Sequence, residues 1–469
     1  MARSIPFLPT LAALALLLAA CGPNADDDGG DAAGGAPDGA APSGSGMSAE
    51  LEAGGEIFVY GYSYENGDEI ATTRVDHFTE QFPDIDVTYS ESTFAPQELL
   101  TALQGSDPPD VIRMPRNVIG SYIQRGVFEP IDSCLQRAGV DPAGYRDAAI
   151  QQLTIDGALY ALPEAFAVRA WLIDNVLFEE AGLDPATFDW SDWDAIREAN
   201  ATILESTDAK VGIDAKVSDP LTADMFPLWV AANGGQLVAD DGTPQLNSAE
   251  AVEALEFVAS MIEPYGSHAE FLDARGQTGD FFGAENQFAL HLEGAFPMQQ
   301  FYLNTLRQSP EIDITAAPFL TREGEPITWA DGDAIGIAAN SDNKDAACAF
   351  VTSVLSTDAW IAAAEARQAQ AESEGVPNLG TVTGNVEADE IIFSQIVDLT
   401  EYPVFEAAVE AYLSVQDAAF VIPPSPAAEE IQLAWATAVD SVLNGDADAQ
   451  SALDQAQADA EAAVEQAGG

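Results

Sequence analysis

Side chains that could catalyse a reaction are either scarce in this sequence or too frequent to be informative. The chain has 3 histidines, His77, His268 and His291, and none lies in a zinc-binding pattern such as HExxH. It contains no GxSxG nucleophile motif and no phosphate-binding loop. The 78 acidic residues would permit a glycosidase pair, but at this frequency a pair of carboxylates carries no signal. We therefore expect a protein that is not an enzyme and that has no cofactor or metal site.

One cysteine, Cys21, has the surroundings of a lipid acceptor. The uncharged run 4–20 follows Arg3 and is dominated by Leu and Ala, and its apolar core is about half the roughly 20 residues of a spanning helix. The run ends in Leu-Ala-Ala-Cys-Gly at 18–22, which resembles a bacterial lipoprotein box. We predict a signal peptide over 1–20 and a lipid on Cys21 that anchors the exported protein to the outer face of the cell membrane. The other interpretation is an ordinary cleavage site beside a chance cysteine.

Residues 21–54 predict a flexible tether. They are rich in Gly, Ala, Asp, Ser and Pro, and they contain almost nothing apolar to bury. Such a segment cannot offset the entropy that it would lose on ordering. A tether suits a protein that must reach a partner at the same membrane.

The formal net charge of −62 restricts the partners. Nucleic acid is excluded, because phosphate binding needs a basic face. So large an imbalance causes self-repulsion that salt relieves, since the screening length falls from about 8 Å at physiological salt to about 3 Å at 1 M. We interpret the charge as adaptation to a saline exterior; the composition of a biased genome is the other explanation.

The chain beyond the tether is longer than one hydrophobic core usually serves, so we expect two lobes. Its first part alternates predicted strands at 56–62, 85–89 and 110–114 with helical patterns at 68–82 and 99–103. Strands that alternate with helices pair in parallel in a βαβ sheet, and ligands bind at the carboxyl ends of such strands. The predicted fold class is therefore α/β.

Two later helices carry start signals. Ser191 has Asp194 three residues later, which is the spacing of a capping box. Asp446 or Asp448 can start a last amphipathic helix that runs toward Ala463. These residues have structural roles in this interpretation.

A series of short motifs resembles one known family in order and spacing. The motifs are, in chain order, FTEQFPDIDV, ALQGSDPPDVI, GVFEPID, GALYALP, LIDNVLFEEAGLDP, FDWSDWDAI, WVAANGGQLV, FALHLEGAF, AIGIAANSDNKDAACAFV and VLNGDADAQSALDQAQ. Together they resemble the bacterial family 1 extracellular solute-binding proteins, the maltose-binding-protein-like lipoprotein components of ABC sugar importers. The resemblance covers essentially the whole chain after the tether.

The resemblance implies a type II periplasmic-binding-protein fold, with two α/β lobes and a ligand cleft between them. By this analogy, lobe one comprises 55–163 plus 328–376, and lobe two comprises 164–327 plus 377–469. Cys134 and Cys348 then fall in lobe one, which makes a disulfide between them feasible in an oxidising environment. Two separate buried thiols are the alternative.

The resemblance also places candidate ligand-binding residues. A sugar has apolar C–H faces and a rim of hydroxyls, so its site needs flat aromatic surfaces and polar side chains in one plane. The positions where family members contact ligand hold Tyr62, Tyr64, Glu65, Arg113, Arg116, Asn117, Glu164, Phe166, Arg169, Trp171, Phe226, Trp229, Phe296, Trp329, Asp331 and Asp333. Trp171 and Trp329 are the first candidates for stacking, because each lies beside polar residues at a predicted strand end. Core packing remains open for any aromatic in the set, and Asp331 and Asp333 could instead cap or turn their loop.

Three arginines near the predicted cleft mouth, Arg113, Arg116 and Arg169, allow several interpretations. Their guanidinium groups could bind sugar hydroxyls, or they could pair with the carboxylate or phosphate of an anionic ligand. They could also form salt bridges with the acidic surface. These alternatives stay open at this point.

The expected function is that of the substrate-binding lipoprotein of an ABC importer. It would capture a mono- or oligosaccharide outside the membrane, close its lobes, and deliver the ligand to the permease subunits. We expect a monomer, because no long heptad repeat occurs. The alternatives are an anionic sugar, a sugar phosphate or another small solute as ligand, and an enzyme that acts on surface polysaccharides. An adhesion lipoprotein would predict internal repeats, which the sequence lacks.

Overall fold

The computed structural model describes residues 54–62, 68–90, 93–215, 225–278, 287–293 and 313–467. The predicted signal peptide, nearly all of the tether and the lipid site at Cys21 lie outside the described residues, and so do Tyr64, Glu65 and Phe296. Within the described ranges, no single helix is long and apolar enough to cross a membrane. The adjoining helices Lys344–Val354 and Thr357–Glu374, which meet at 50°, reach that length and composition only as a pair.

The strands of the described residues are, in chain order, β1 (Gly55–Tyr60), β2 (Ile85–Tyr89), β3 (Val111–Pro115), β4 (Thr154–Ile155), β5 (Ala158–Leu159), β6 (Ala161–Pro163), β7 (Ala170–Asp174), β8 (Val211–Asp214), β9 (Phe288–Glu293), β10 (Ile314–Pro318), β11 (Thr328–Trp329), β12 (Asp333–Ile337) and β13 (Ala419–Phe420).

The α-helices of the same ranges are α1 (Glu69–Gln81), α2 (Pro96–Leu103), α3 (Arg116–Gln124), α4 (Asp132–Ala138), α5 (Asp147–Gln152), α6 (Asn175–Glu180), α7 (Trp193–Ser206), α8 (Phe226–Ala232), α9 (Ala249–Ser260), α10 (His268–Thr278), α11 (Lys344–Val354), α12 (Thr357–Glu374), α13 (Val386–Ile391), α14 (Pro403–Ser414), α15 (Ala428–Leu443) and α16 (Ala449–Ala467).

The first sheet has the strand order β2-β1-β3-β12-β6. β1 pairs in parallel with β2 and with β3, so the predicted βαβ arrangement is confirmed. β12 returns from a distant part of the chain and pairs antiparallel with β3 and β6. Ile57, Val59, Val111 and Ile112 are fully enclosed, because helices cover both faces of the parallel strands.

The second sheet has the strand order β10-β7-β9-β8. β7 pairs antiparallel with β10 and β9, while β8 pairs in parallel with β9. All five residues of β7 are buried, as expected of a central strand that is covered on both faces. The sheet carries its own hydrophobic core, which is separate from the core of the first sheet.

Three chain segments lie side by side between the two cores. The first joins β6 to β7, the second joins β11 to β12, and the third contains Thr383; isolated antiparallel bridges pair Ala165 with Thr383 and Ala167 with Asp331. Trp329 packs with the second core, whereas Ile392 packs with the first. The lobe boundaries at residues 328 and 376 stay predictions.

A disulfide joins α4 to α11 inside the first lobe. Cys134 and Cys348 have Cα atoms 5.7 Å apart and are bonded through their sulfur atoms. Both side chains are buried. The structure thus contains the bridge rather than two separate thiols.

The start signals of the two later helices have different outcomes. α7 is capped by Asp192, whose carboxylate accepts hydrogen bonds from the backbone N–H groups of Asp194 and Ala195, so the prediction of Ser191 as the cap is wrong. Ser191 instead donates its hydroxyl to Asp189 at 2.6 Å, in a local turn that competes with capping. At the last helix, Asp448 accepts a hydrogen bond from the N–H of Ser451 at 2.9 Å, which confirms one of the two predicted starts.

Candidate ligand-binding cleft

A cavity of about 480 Å³ lies between the first lobe, the crossing segments and α15. Its size falls within the range of small-molecule sites, roughly 300–1,000 Å³. The lining residues are Phe94, Pro96, Pro115, Asn117, Val118, Trp329, Asp331, Gly332, Asp333, Glu429 and Gln432. The wall therefore combines two aromatic rings with carboxylate and amide groups, which is the combination that a sugar needs.

A larger groove of about 840 Å³ runs along α15 and α16. Its described wall consists mainly of Ala, Ser, Thr and Gln with Leu433, and it contains no aromatic side chain. None of the residues predicted to bind ligand lies in it. The smaller cavity is therefore the candidate site.

Four predicted residues meet at the cavity: Asn117, Trp329, Asp331 and Asp333. Asn117 follows β3 in the first turn of α3, and the other three residues lie where β11 ends and β12 begins. Gly332 between the two aspartates has φ +135°, and a Cβ atom there would come within 2.4 Å of the Ala165 carbonyl oxygen. Only glycine fits this close approach, which fixes the turn that presents both aspartates.

Behind this wall, Glu164 joins two arginines in a buried ion network. Its carboxylate pairs with Arg74 at 2.6 Å and with Arg113, and Arg113 also contacts Asp333 at 2.7 Å. Burial alone would raise the pKa of Glu164, but the two guanidinium groups outweigh it and lower the pKa to about 2. Burial prevails at Asp333, whose pKa is raised despite the same Arg113.

Arg116 binds the crossing segments. The residue is 1% exposed, and its guanidinium group donates to the backbone carbonyls of Ala165 and Asp331 and to the side chain of Gln152. Desolvation lowers the pKa of Arg116 to about 10. Its prediction as a ligand contact is therefore corrected, because its donors hold the backbone between the lobes.

The other predicted arginines pair with carboxylates of the protein. Arg169 contacts Asp331 at 2.8 Å, and Arg113 bridges Glu164 and Asp333. Of the three interpretations of the arginines, salt bridging describes these two residues in this structure. Glu164, which is enclosed between its arginines, is likewise a support for the site rather than part of its wall.

Three predicted aromatics belong to the core of the second lobe. Trp171, Phe226 and Trp229 are 0% exposed. The ring centroid of Trp171 lies 5.2 Å from that of Phe319 and 5.9 Å from that of Trp229, and the Trp229 indole N–H donates to the Ala215 carbonyl. Their prediction as stacking surfaces is wrong in this structure. Both faces of the second sheet are covered, and a core ring at a strand end has the same sequence pattern as a cleft ring.

Two further predicted aromatics, Phe166 and Tyr62, pack away from the cavity. The Phe166 ring lies 5.6 Å from the guanidinium carbons of both Arg116 and Arg146. Tyr62 is 2% exposed and packs edge-on against Phe350, and its burial raises the pKa of the phenol to about 12. Both predictions of ligand contact are corrected, because other side chains enclose these rings.

The sequence analysis missed the cavity residues Phe94, Glu429 and Gln432. Phe94 follows β2, whose carboxyl end lies at the same edge as those of β1 and β3, so the rule applied to those strands would have found it. Glu429 and Gln432 lie one turn apart on α15 and are brought to the site by tertiary packing alone. No local signal in the sequence distinguishes them from surface residues of an amphipathic helix.

Polar contacts connect α3 to α15 beside the cavity. The Asn117 amide donates to Gln432 at 3.1 Å, and the Tyr122 hydroxyl donates to Glu429 at 3.0 Å. Further along the two helices, Arg125 contacts Glu430 at 3.3 Å. The part of the chain that the structure describes has no group of three or more side chains that could hold a metal ion.

A family model described as bacterial extracellular solute-binding protein matches residues 63–360, well over half of the chain. The chain belongs to this family. Its sequence is also similar to the maltotriose-binding protein of Pyrococcus abyssi, with 24% identity over 313 residues. This alignment covers 64% of the chain and 63% of that relative, so it spans less than two thirds of the relative's length.

Solved structures share the fold of this solute-binding protein. An ABC substrate-binding protein from Listeria monocytogenes in complex with cycloalternan has a TM-score of 0.65 and 22% identity, and covers 87% of this chain and 98% of its own. The GacH receptor of Streptomyces glaucescens, determined unliganded and with acarbose, has a TM-score of 0.67 and 18% identity, and covers 88% and 99%. The predicted two-lobed α/β fold of the type II binding proteins is thus confirmed.

Proposed function

We propose that this solute-binding protein is the substrate-binding component of an ABC importer and that its ligand is a carbohydrate. The observation that carries the proposal is the cavity between the lobes, where Trp329 and Phe94 accompany Asn117, Asp331 and Asp333. Aromatic rings stack on the apolar faces of a sugar, and carboxylate and amide groups form hydrogen bonds with its hydroxyls. Similar proteins are named for maltotriose or were solved with cycloalternan or acarbose, which supports the same ligand class.

An anionic ligand is less compatible with the described wall. The three carboxylates of the cavity would repel it, and Arg113 and Arg169 are already paired with protein carboxylates. An anion would have to break those pairs before it could bind. A neutral or cationic sugar requires no such rearrangement, so the proposal favours these classes.

In this proposal the ligand drives closure of the lobes. The crossing segments provide a narrow connection about which the two cores can rotate, and the ligand contacts both sides of the cavity. A ligand that makes more contacts in the closed state shifts the population toward it. The permease subunits would then receive the loaded form. The proposal includes a lipid on Cys21, a position at the outer face of the membrane and a monomeric state. It does not include catalysis.

The test is a thermal-shift screen of the purified protein, in high salt, against sugars, uronic acids, sugar phosphates and amino acids. A ligand at one hundred times its Kd stabilises the folded state by about 2.7 kcal/mol, so a sugar ligand should raise the unfolding temperature clearly. Stabilisation by an amino acid or a sugar phosphate alone would contradict the carbohydrate proposal. Turnover of a polysaccharide would favour an enzyme instead.

A further inference from the structure

Glu429 is a cavity carboxylate without a cation of its own. It lies in the first turn of α15 and accepts a hydrogen bond from the Tyr122 hydroxyl, and it forms no ion pair with any residue of the described ranges. The two other carboxylates of the wall are compensated, because Asp331 pairs with Arg169 and Asp333 pairs with Arg113. Glu429 is therefore the carboxylate of the cavity wall that has no ion-pair partner among the described residues.

Burial opposes the charge of Glu429. The residue is half-buried, and this desolvation raises its pKa although the Tyr122 hydroxyl and Arg125 favour the charged form. Arg125, the basic residue nearest along α3, pairs with Glu430 and not with Glu429. Enclosing the cavity around a ligand would remove further water from the carboxylate, and a buried charge is costly unless an opposite charge accompanies it.

The charge of the wall as a whole also favours a cationic ligand. Its described lining holds three carboxylates and no Lys, Arg or His side chain. The indole N–H of Trp329, in the same wall, is buried and has no hydrogen-bond acceptor among the described residues. A ligand that carries an ammonium group would supply the positive charge that this wall lacks.

The position of Glu429 in the first turn of α15 also has an explanation that involves no ligand. Carboxylates in the first turn of a helix interact favourably with the helix dipole, whatever lies beyond them. Glu430 occupies the same first turn but is 46% exposed, pairs with Arg125 and does not line the cavity. It is therefore a matched control that separates the helix effect from ligand recognition.

We propose that the cavity selects an amino sugar, with the ammonium group against the Glu429 carboxylate and the sugar ring beside Trp329. This inference rests on the proposed carbohydrate function and narrows it to one class. In this inference Glu429 determines the specificity of the cavity, because its carboxylate binds a positively charged ligand more tightly than a neutral one.

Isothermal titration of the purified protein with matched sugar sets tests the inference. The sets are glucose, glucosamine and glucuronic acid, the galactose and mannose equivalents, and cellobiose with its diamino analogue chitobiose. The amine in a set that binds should bind at least about tenfold more tightly than its neutral parent, as expected of a charge-assisted hydrogen bond, and the uronic acid should bind least. Glu429→Gln should bring the affinities for the amine and its neutral parent to within about twofold of each other, since the amide carries no charge and its oxygen can still accept from Tyr122. Glu430→Gln should change neither.

Two results would overturn the inference and leave the carbohydrate function intact. One is a neutral sugar that binds as tightly as its amine, and the other is an undiminished preference for the amine in Glu429→Gln. If no member of any set binds but another sugar stabilises the protein in the thermal-shift screen, the inference fails and the carbohydrate function stands. If no sugar does so, both fail. Thermal unfolding of both variants without ligand checks that they fold.

Discussion

Among the predicted ligand-binding residues, the environment of a side chain decides its role more than its type does. Trp171 and Trp329 both lie at strand ends, and their exposed fractions are almost equal at 0% and 1%. Other rings enclose Trp171, whereas Trp329 forms part of the cavity wall. The two rings differ in the side chains that pack against them, and those side chains come from distant parts of the sequence.

At this scale we expect Trp329→Phe to weaken sugar binding by about 1 kcal/mol, roughly fivefold in Kd, because the smaller ring loses stacking area and the indole donor. Titration with the sugar that gives the largest thermal shift measures the change. Trp435→Phe is the control, since Trp435 is similarly buried but lies outside the cavity. Equal effects of the two substitutions would show that Trp329 has only a packing role.

Glu164 gives a prediction about pH. Its folded pKa of about 2 is below the ordinary value of 4.5, so its stabilising contribution is complete above pH 4.5 and is lost as the pH falls toward 2. At pH 7, Glu164→Gln should lower the free energy of unfolding by about 3–5 kcal/mol, because it leaves Arg74 and Arg113 without their buried partner. The difference from the parent protein should shrink at pH 3.

Urea unfolding at both pH values measures this effect of Glu164. Glu253→Gln, which breaks the exposed pair of Glu253 with Arg322, should cost about 0–1 kcal/mol at pH 7. A Glu164→Gln effect as small as that, or one that does not depend on pH, would contradict the ion-network interpretation.

At the scale of helices and strands, local sequence signals predict where an element lies, but they do not predict which other element it packs against. The pattern at 68–82 predicts a helix, and α1 spans Glu69–Gln81, because the Asp68 cap and the apolar spacing lie within the segment itself. The contact of α3 with α15 joins residues more than 300 positions apart, such as Asn117 and Gln432. Neither helix contains a signal that identifies its partner.

The disulfide between α4 and α11 gives the prediction at this scale. A reducing agent should lower the thermal unfolding temperature, since the bridge restricts a long loop of the unfolded chain, and its loss typically costs about 2–5 kcal/mol. The variant with both Cys134→Ser and Cys348→Ser should be less stable without reductant and should not respond to it. An unfolding temperature of the parent protein that is insensitive to reductant would argue against a stabilising bridge.

On the scale of the whole molecule, charge and architecture act independently. The chain has 78 acidic and 16 basic residues, and several of the basic residues form specific pairs behind the cavity and between helices. So few basic residues cannot neutralise the acidic excess, which therefore repels itself. Such repulsion weakens the compact state without changing the fold.

Salt should therefore stabilise the whole molecule. We expect the thermal unfolding temperature to rise between 0.15 M and 1 M NaCl, because the screening length falls from about 8 Å to about 3 Å. Glycine betaine at matched osmolality screens no charge and should give a smaller increase. If the two additives act equally, or if salt has no effect, the interpretation as adaptation to a saline exterior is wrong.

The sequence by itself determined the α/β class, the parallel start of the first sheet, the helix beginnings at Asp68 and Asp448, and the family resemblance. These features depend on local spacing, caps and motif order, which a linear chain carries directly. Tertiary structure alone decided that Trp329 lines the cavity while Trp171 does not, that Arg116 holds the crossing segments, and that Glu429 joins the site. Those roles depend on which distant segment of the chain packs on each side chain. The residues next to a position in the sequence do not indicate which segment that is.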